Sequence, residues 1–188
     1  MSSNSPKSPE MVALLQQRMM FFSQAGQCII EYQGVEDHLE NVFAAALSGP
    51  KNRADAIFAI ARGLEAKLSL IDASLLNADA AYRTRWQELK RRVTQAAASR
   101  NQIAHSRPVS TSDPIFVEVS NDPEKPGKAW GGGNPRVEIW KKMKNGDAKW
   151  TSQDLREEFL RNKRLYTHVL VFEMDLRGAP VPDHLRNA

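Results

Sequence analysis

The chain has 188 residues, 41% apolar and 26% charged, with 26 Lys+Arg against 22 Asp+Glu. This composition suits one globular domain, and a net charge of +4 permits a nucleic-acid partner without demanding one. A single cysteine, Cys28, excludes an internal disulfide and a cysteine-rich zinc cage, and points to a reducing compartment.

The longest uncharged apolar-leaning run, Met19 to Ile30, falls short of the ~20 residues a membrane helix needs. Residues 1–9 are polar, carry no signal-peptide apolar region and read as a disordered lead. A cytoplasmic protein without a membrane partner is therefore expected. Residues 10–177 read as one domain. A first helix is predicted from about Ser8 to Leu47, with Tyr32, Val35, Leu39, Val42, Phe43 and Ala46 at helical spacing. Gly26 and Gly34 are places where it could bend, and Ser48-Gly49-Pro50 stops it. A second helix is predicted from about Asn52 to Leu76, with the stripe Ile57, Ile60, Leu64, Leu68, Ile71, Leu75. A third is predicted from about Asp79 to Ala104, with Tyr82, Trp86, Leu89, Val93 and Ala96 on one face and Pro108 beyond its end.

The pattern then changes. Ile115–Val119 and Val137–Trp140 have strand character, and Lys144-Asn145-Gly146-Asp147 is a hairpin turn with a return strand through Lys149-Trp150. Asn121 to Pro135 reads as a flexible loop. Its Gly131-Gly132-Gly133 lacks the GK[ST] of a phosphate-binding loop. A last helix starts at a Thr151 or Ser152 cap and runs to about Asp175, with Leu155, Phe159, Leu165, Val169 and Phe172 inward. Residues 178–188 read as a flexible tail. The fold class is mainly α: a four-helix up-down bundle with a small antiparallel β-meander, at about 114–150, inserted before the last helix.

No GxSxG, HExxH or CxxC motif is present, and the four histidines have no convincing metal-ligand spacing, so no metal or cofactor is expected. Glu36-Asp37-His38 reads as a solvated acidic helix face. The segment that stands out is Ser99-Arg100-Asn101-Gln102-Ile103-Ala104-His105. Arg100 continues the core-facing stripe of the third helix, where a charge is costly unless it is paired or lines a cleft. Asn101 and His105, four residues apart, share a face. Arginine can hold a phosphate and histidine can move a proton near neutral pH, so the trio suits phosphodiester chemistry. Equally, Arg100 could pair with Glu36, Asp37 or Asp72, and cations near a helix C-terminus are favoured by its dipole.

Arg100-Asn101-x-Ile103-Ala104-His105 resembles the motif of the HEPN domain family (higher eukaryotes and prokaryotes nucleotide-binding), in which four to six residues separate an arginine from a following histidine. The resemblance covers about residues 27–107 and 152–175. It implies a metal-independent endoribonuclease, homodimeric, that cleaves RNA by 2′-hydroxyl attack in a shared cleft and acts in stress or defence. Arg100 would hold the phosphate, His105 would act as acid or base, and Asn101 would position either. Many family members are non-catalytic binding or dimerisation modules, and that alternative stays open beside an unrelated helical interaction domain. Arg107 stands where one antitoxin-paired subgroup has tyrosine, so that subgroup's biology is not transferred. The looser spacing also fits Arg161-Asn162 to His168, on a face rich in Arg156, Lys163 and Arg164, and Arg177 to His184.

Between Arg83 and Arg107 seven basic residues face one acid, Glu88. Arg91, Arg92 and Arg107, with Lys141 and Lys142 beside Trp140, are the candidate nucleic-acid contacts. Trp130, Trp140 and Trp150 could instead pack the small sheet onto the bundle.

Overall fold

The computed structural model describes the backbone of residues 9–105, 107–118, 128–143 and 146–186, and the side chains of 12–105 and 150–186. The protein is mainly helical. Three long helices dominate: α1 (Pro9–Leu47), α4 (Ala80–Ala104) and α5 (Ser152–Leu176). Two short helices, α2 (Lys51–Ile60) and α3 (Leu64–Ser74), pack on α1 in the place expected of one. Gly26 and Gly34 do not interrupt α1.

The predicted second helix breaks at Ala61–Gly63, which corrects the plain four-helix layout. Ala61 turns extended, and Gly63 takes φ +81°, a conformation that glycine adopts without the steric cost a side chain would bring. The break redirects the stripe: Leu68, Ile71 and Leu75 are buried, whereas Ile60 is 79% exposed. Between α4 and α5 the backbone pairs as three antiparallel strands in the order β1 (Arg107–Glu118), β2 (Lys128–Met143), β3 (Gly146–Trp150). In this pairing Gly131 and Gly132 lie in β2 opposite Ile115 and Pro114, not in the loop the sequence suggests. The side chain of Trp150 packs against the bundle, while Trp130 and Trp140 lie outside the described side chains.

Helix starts are chemically marked. Asp79 accepts from the Ala81 amide at 2.8 Å, and Thr151 with Asp154 forms a reciprocal capping box on α5. After α5 the chain turns back at Gly178 (φ +64°), buries Val181 and forms a short helix, α6 (Asp183–Arg186), against α5.

The main core joins Tyr32, Leu39, Val42 and Phe43 of α1 to Phe58, Leu68 and Ile71, to Trp86, Leu89 and Val93 of α4, and to Leu165, Val169 and Phe172 of α5. Trp86 stacks on Phe172 with ring centres 6.0 Å apart and donates its indole N–H to Asp72 at 2.6 Å. Lys90 and Gln87 also bond Asp72; burial pushes its carboxyl up, but these donors prevail and hold it below the ordinary carboxylate range. A smaller second cluster, of Phe21, Ala25, Cys28, Ile103 and Leu155, lies toward the C-terminal end of α4.

The predicted solvated face at Glu36–His38 is partly corrected. His38 Nε2 donates to Glu173 at 2.7 Å with both side chains 12% exposed, and the ring meets Tyr166 edge-on. Glu36 accepts from Lys67 at 3.1 Å; only Asp37 is exposed. Among the described residues no helix is long and apolar enough to cross a membrane, and no group of three His, Cys, Asp or Glu could hold a metal ion.

Candidate functional site at the end of helix α4

The stripe of α4 runs Trp86, Leu89, Val93, Ala96, Arg100, Ile103, spaced three and four apart, so Arg100 is carried toward the other long helices by the helical repeat. The structure places it half-buried, with Nε out of solvent and without a hydrogen-bond partner. Its Nη1 donates to Asn101 Oδ1 at 2.9 Å. Asn101 Oδ1 thus steadies the arginine, and among the described residues no hydrogen bond joins its side chain to the His105 imidazole. None of Glu36, Asp37 or Asp72 pairs with Arg100: Lys67 takes Glu36, Gln33 takes Asp37, and Lys90 takes Asp72.

His105 caps α4 at φ −105°, and its amide N–H returns to the Asn101 carbonyl at 3.1 Å. Its side chain is exposed, as is that of Asn101. The three residues thus meet where the helix opens to solvent, Arg100 on the inner side and His105 on the outer. Of the candidate nucleic-acid contacts, Arg91 is exposed and forked onto Glu88 through Nη2 (2.7 Å) and Nε (3.2 Å), and Arg92 is half-buried with Nη1 2.6 Å from His168 Nδ1. Arg107 opens β1; its side chain and those of Lys141 and Lys142 lie outside the described residues.

The second arginine–histidine spacing does not converge. Arg161 bonds Glu158 at 2.6 Å, and His168 faces Arg92. Asn162, between them, is 1% exposed and donates to the Cys28 carbonyl at 3.3 Å.

Sequence reasoning missed a buried polar layer beside Arg100. On α5 the inward stripe is Leu155, Glu158, Asn162, Leu165, Val169, Phe172, again three and four apart, so two polar residues occupy core positions. On α1 the stripe Ala25, Cys28, Tyr32, Val35 passes through the same level. Carrying the apolar stripe of α5 through its polar members would have found Glu158 and Asn162. Burial, helped by the Glu158 charge, pushes the Cys28 thiol up to about 11, and its Sγ donates to the Leu155 carbonyl at 2.9 Å. Burial likewise raises the Tyr32 hydroxyl, with Glu36 adding and the Arg100 charge opposing. Burial raises Glu158 too, against the pull of Arg161 and Ser99. Within this layer Tyr32 Oη, Arg100 Nε, Glu158 Oε1 and Asn162 Oδ1 have no hydrogen-bond partner.

No family model matches this chain, and searches of curated proteins and of solved structures return no match.

Proposed function

We propose that this protein is a HEPN-like, metal-independent endoribonuclease that acts on RNA in the cytoplasm as a homodimer, with Arg100, Asn101 and His105 of two copies lining one cleft. The observation that carries the reading is the state of the groups at the end of α4. Arg100 has no carboxylate partner among the described residues, and the exposed His105 ring makes no hydrogen bond there. Groups so uncommitted are free to meet a substrate. RNA brings its own nucleophile, the 2′-hydroxyl. Attack on the adjacent phosphorus breaks the P–O5′ bond and leaves a 2′,3′-cyclic phosphate and a 5′-hydroxyl.

One imidazole takes the 2′ proton and another protonates the leaving O5′. Arg100, its fork steadied by Asn101, stabilises the charge that builds on the phosphoryl oxygens. Each chain supplies one histidine at this place, so the second comes from a second copy. The exposed apolar stripe Val12, Leu15, Met19, Phe22 on α1 offers that copy a surface. The neighbouring buried face of the same helix segment carries Phe21 and Ala25, whose cluster contains Ile103 of α4, so the stripe lies on the stretch of α1 that packs near the candidate site.

A non-catalytic helical binding or dimerisation module is the second reading. It is favoured by the Asn101 side chain, whose oxygen goes to Arg100 and which makes no hydrogen bond to the imidazole among the described residues.

The test is cleavage of a mixed RNA pool in EDTA by wild type, His105→Ala and Arg100→Ala, all verified as folded and of equal mass in solution. The endoribonuclease reading expects cyclic-phosphate ends from wild type and a loss of about 100-fold or more in both variants. Intact RNA with wild type, or equal cleavage by the variants, leaves the binding module.

A further inference from the structure

Away from the end of α4, a cavity of about 400 Å³ lies between α4, α5 and α6. Its walls include Arg85, Glu88, Arg92, His168, Leu185 and Arg186. The charges there are unequally committed. Glu88 is held by Arg91 at 2.7 Å, and Arg85 by Asp175 at 2.6 Å. Arg92 and Arg186, both lining the cavity, form no ion pair with a carboxylate among the described residues. Arg186 Nε donates only to the Val181 carbonyl, at 3.3 Å.

Arg92 meets His168 Nδ1 at 2.6 Å. An arginine in a protein stays protonated and only donates, so Nδ1 is the acceptor and this imidazole is in its neutral Nε2–H form. A neutral ring steadies the guanidinium without cancelling its charge. Burial, together with the charges of Arg91 and Arg164, works against the charged form of Arg92, with Glu88 alone in opposition. Arg92 also lines the neighbouring cavity of about 280 Å³ with Glu88, Arg91 and Arg161, where Arg91 is paired with Glu88 and Arg161 with Glu158. Half-burying a cation that has no ion pair of its own is unfavourable, and an anion in the cavity relieves it.

We propose that the α4–α5–α6 cavity is a binding site for a terminal phosphate group, gripped by Arg92 from α4 and Arg186 from α6, with the short helix α6 as one wall. A compact dianion suits a cavity of this size lined by two guanidinium groups from different helices. Arg92 lies thirteen residues before His105, about 20 Å along the helix axis, so the site is separate from the candidate cleavage site and independent of whether the protein cuts RNA.

The group could belong to a small phosphoanion or to the 5′ end of an RNA strand. Calorimetric titration at fixed ionic strength, with pyrophosphate in one arm and with 5′-phosphorylated and 5′-hydroxyl forms of one oligoribonucleotide in the other, separates the sources. Saturable pyrophosphate binding, weakened at least tenfold in both Arg92→Gln and Arg186→Gln, supports the site. A tenfold preference for the 5′-phosphorylated strand that both substitutions abolish supports it with the strand end as its source. Arg186 is exposed, so its variant decides the matter should Arg92→Gln fail to fold. Absence of binding in both arms, or binding unchanged in Arg186→Gln, overturns the proposal.

Discussion

The two halves of the same three-helix seam are built differently. In one half, α1, α4 and α5 present Leu39, Val42, Trp86, Leu89, Val93, Val169 and Phe172 to one another, and the interface is apolar. In the other half the same three-and-four spacing delivers Cys28, Tyr32, Arg100, Glu158 and Asn162. The backbone periodicity is the same, so the difference lies in side-chain chemistry alone. The first half does the work of a core, where each fully buried large side chain contributes about 1.5–3 kcal/mol. The second carries the cost of desolvating polar groups, several of them without a partner, at the level where α4 brings Arg100 toward its exposed end. A polar layer that stability does not explain thus lies next to Arg100 and His105, the residues of the candidate site.

That contrast can be broken at its strong side. Trp86→Ala removes a ring that is 1% exposed, its stack on Phe172 and one of the donors to Asp72. The expected loss is about 3–5 kcal/mol, read as a fall in the denaturation midpoint with its slope unchanged. A loss under 1 kcal/mol would mean that this half is not the core.

The polar half responds with a different size and sign. Tyr32→Phe deletes a buried hydroxyl that has no hydrogen-bond partner, so stability should stay within about 1 kcal/mol of wild type. A drop of 2 kcal/mol or more in urea would show that the hydroxyl is bound to something after all.

The smallest and most specific effect concerns pH. Burial holds the Glu158 carboxyl above its ordinary value in the fold. The folded state therefore keeps a proton there that the unfolded chain has already released. The associated stability is full below the ordinary glutamate pKa and is lost as pH rises through the raised one. Asp72 and the other carboxylates titrate in both proteins and cancel in a difference. The melting temperature of wild type relative to Glu158→Gln should thus rise as pH falls from neutral toward the ordinary glutamate range. A difference that is flat or falls on acidification would place Glu158 in water.

Much of the helical frame is legible in the sequence because burial imposes a period. The predicted inward positions on α1 and α4 and those of the last helix, Leu155, Leu165, Val169 and Phe172, are buried or line the core. The ends are legible for a local reason: Asp79, Thr151 and Ser48-Gly49-Pro50 act on the nearest peptide groups. The break at Gly63 was not, because the stripe continues through it and glycine permits a positive φ without requiring one.

At the candidate site the sequence by itself determined the cast: an arginine in line with core residues, an asparagine beside it and a histidine at the helix end. Helical geometry needs only the local chain for that. Only the tertiary structure decided their partners. Lys67 and Lys90, each from another helix, claim Glu36 and Asp72, two of the acids that could have neutralised Arg100. The buried layer of Tyr32, Glu158 and Asn162 and the facing of Arg92 by His168 are of the same kind, for these contacts join residues 76 to 134 positions apart. A hydrogen bond depends on distances of a few tenths of an ångström, and no sequence period sets distances between helices that far apart along the chain.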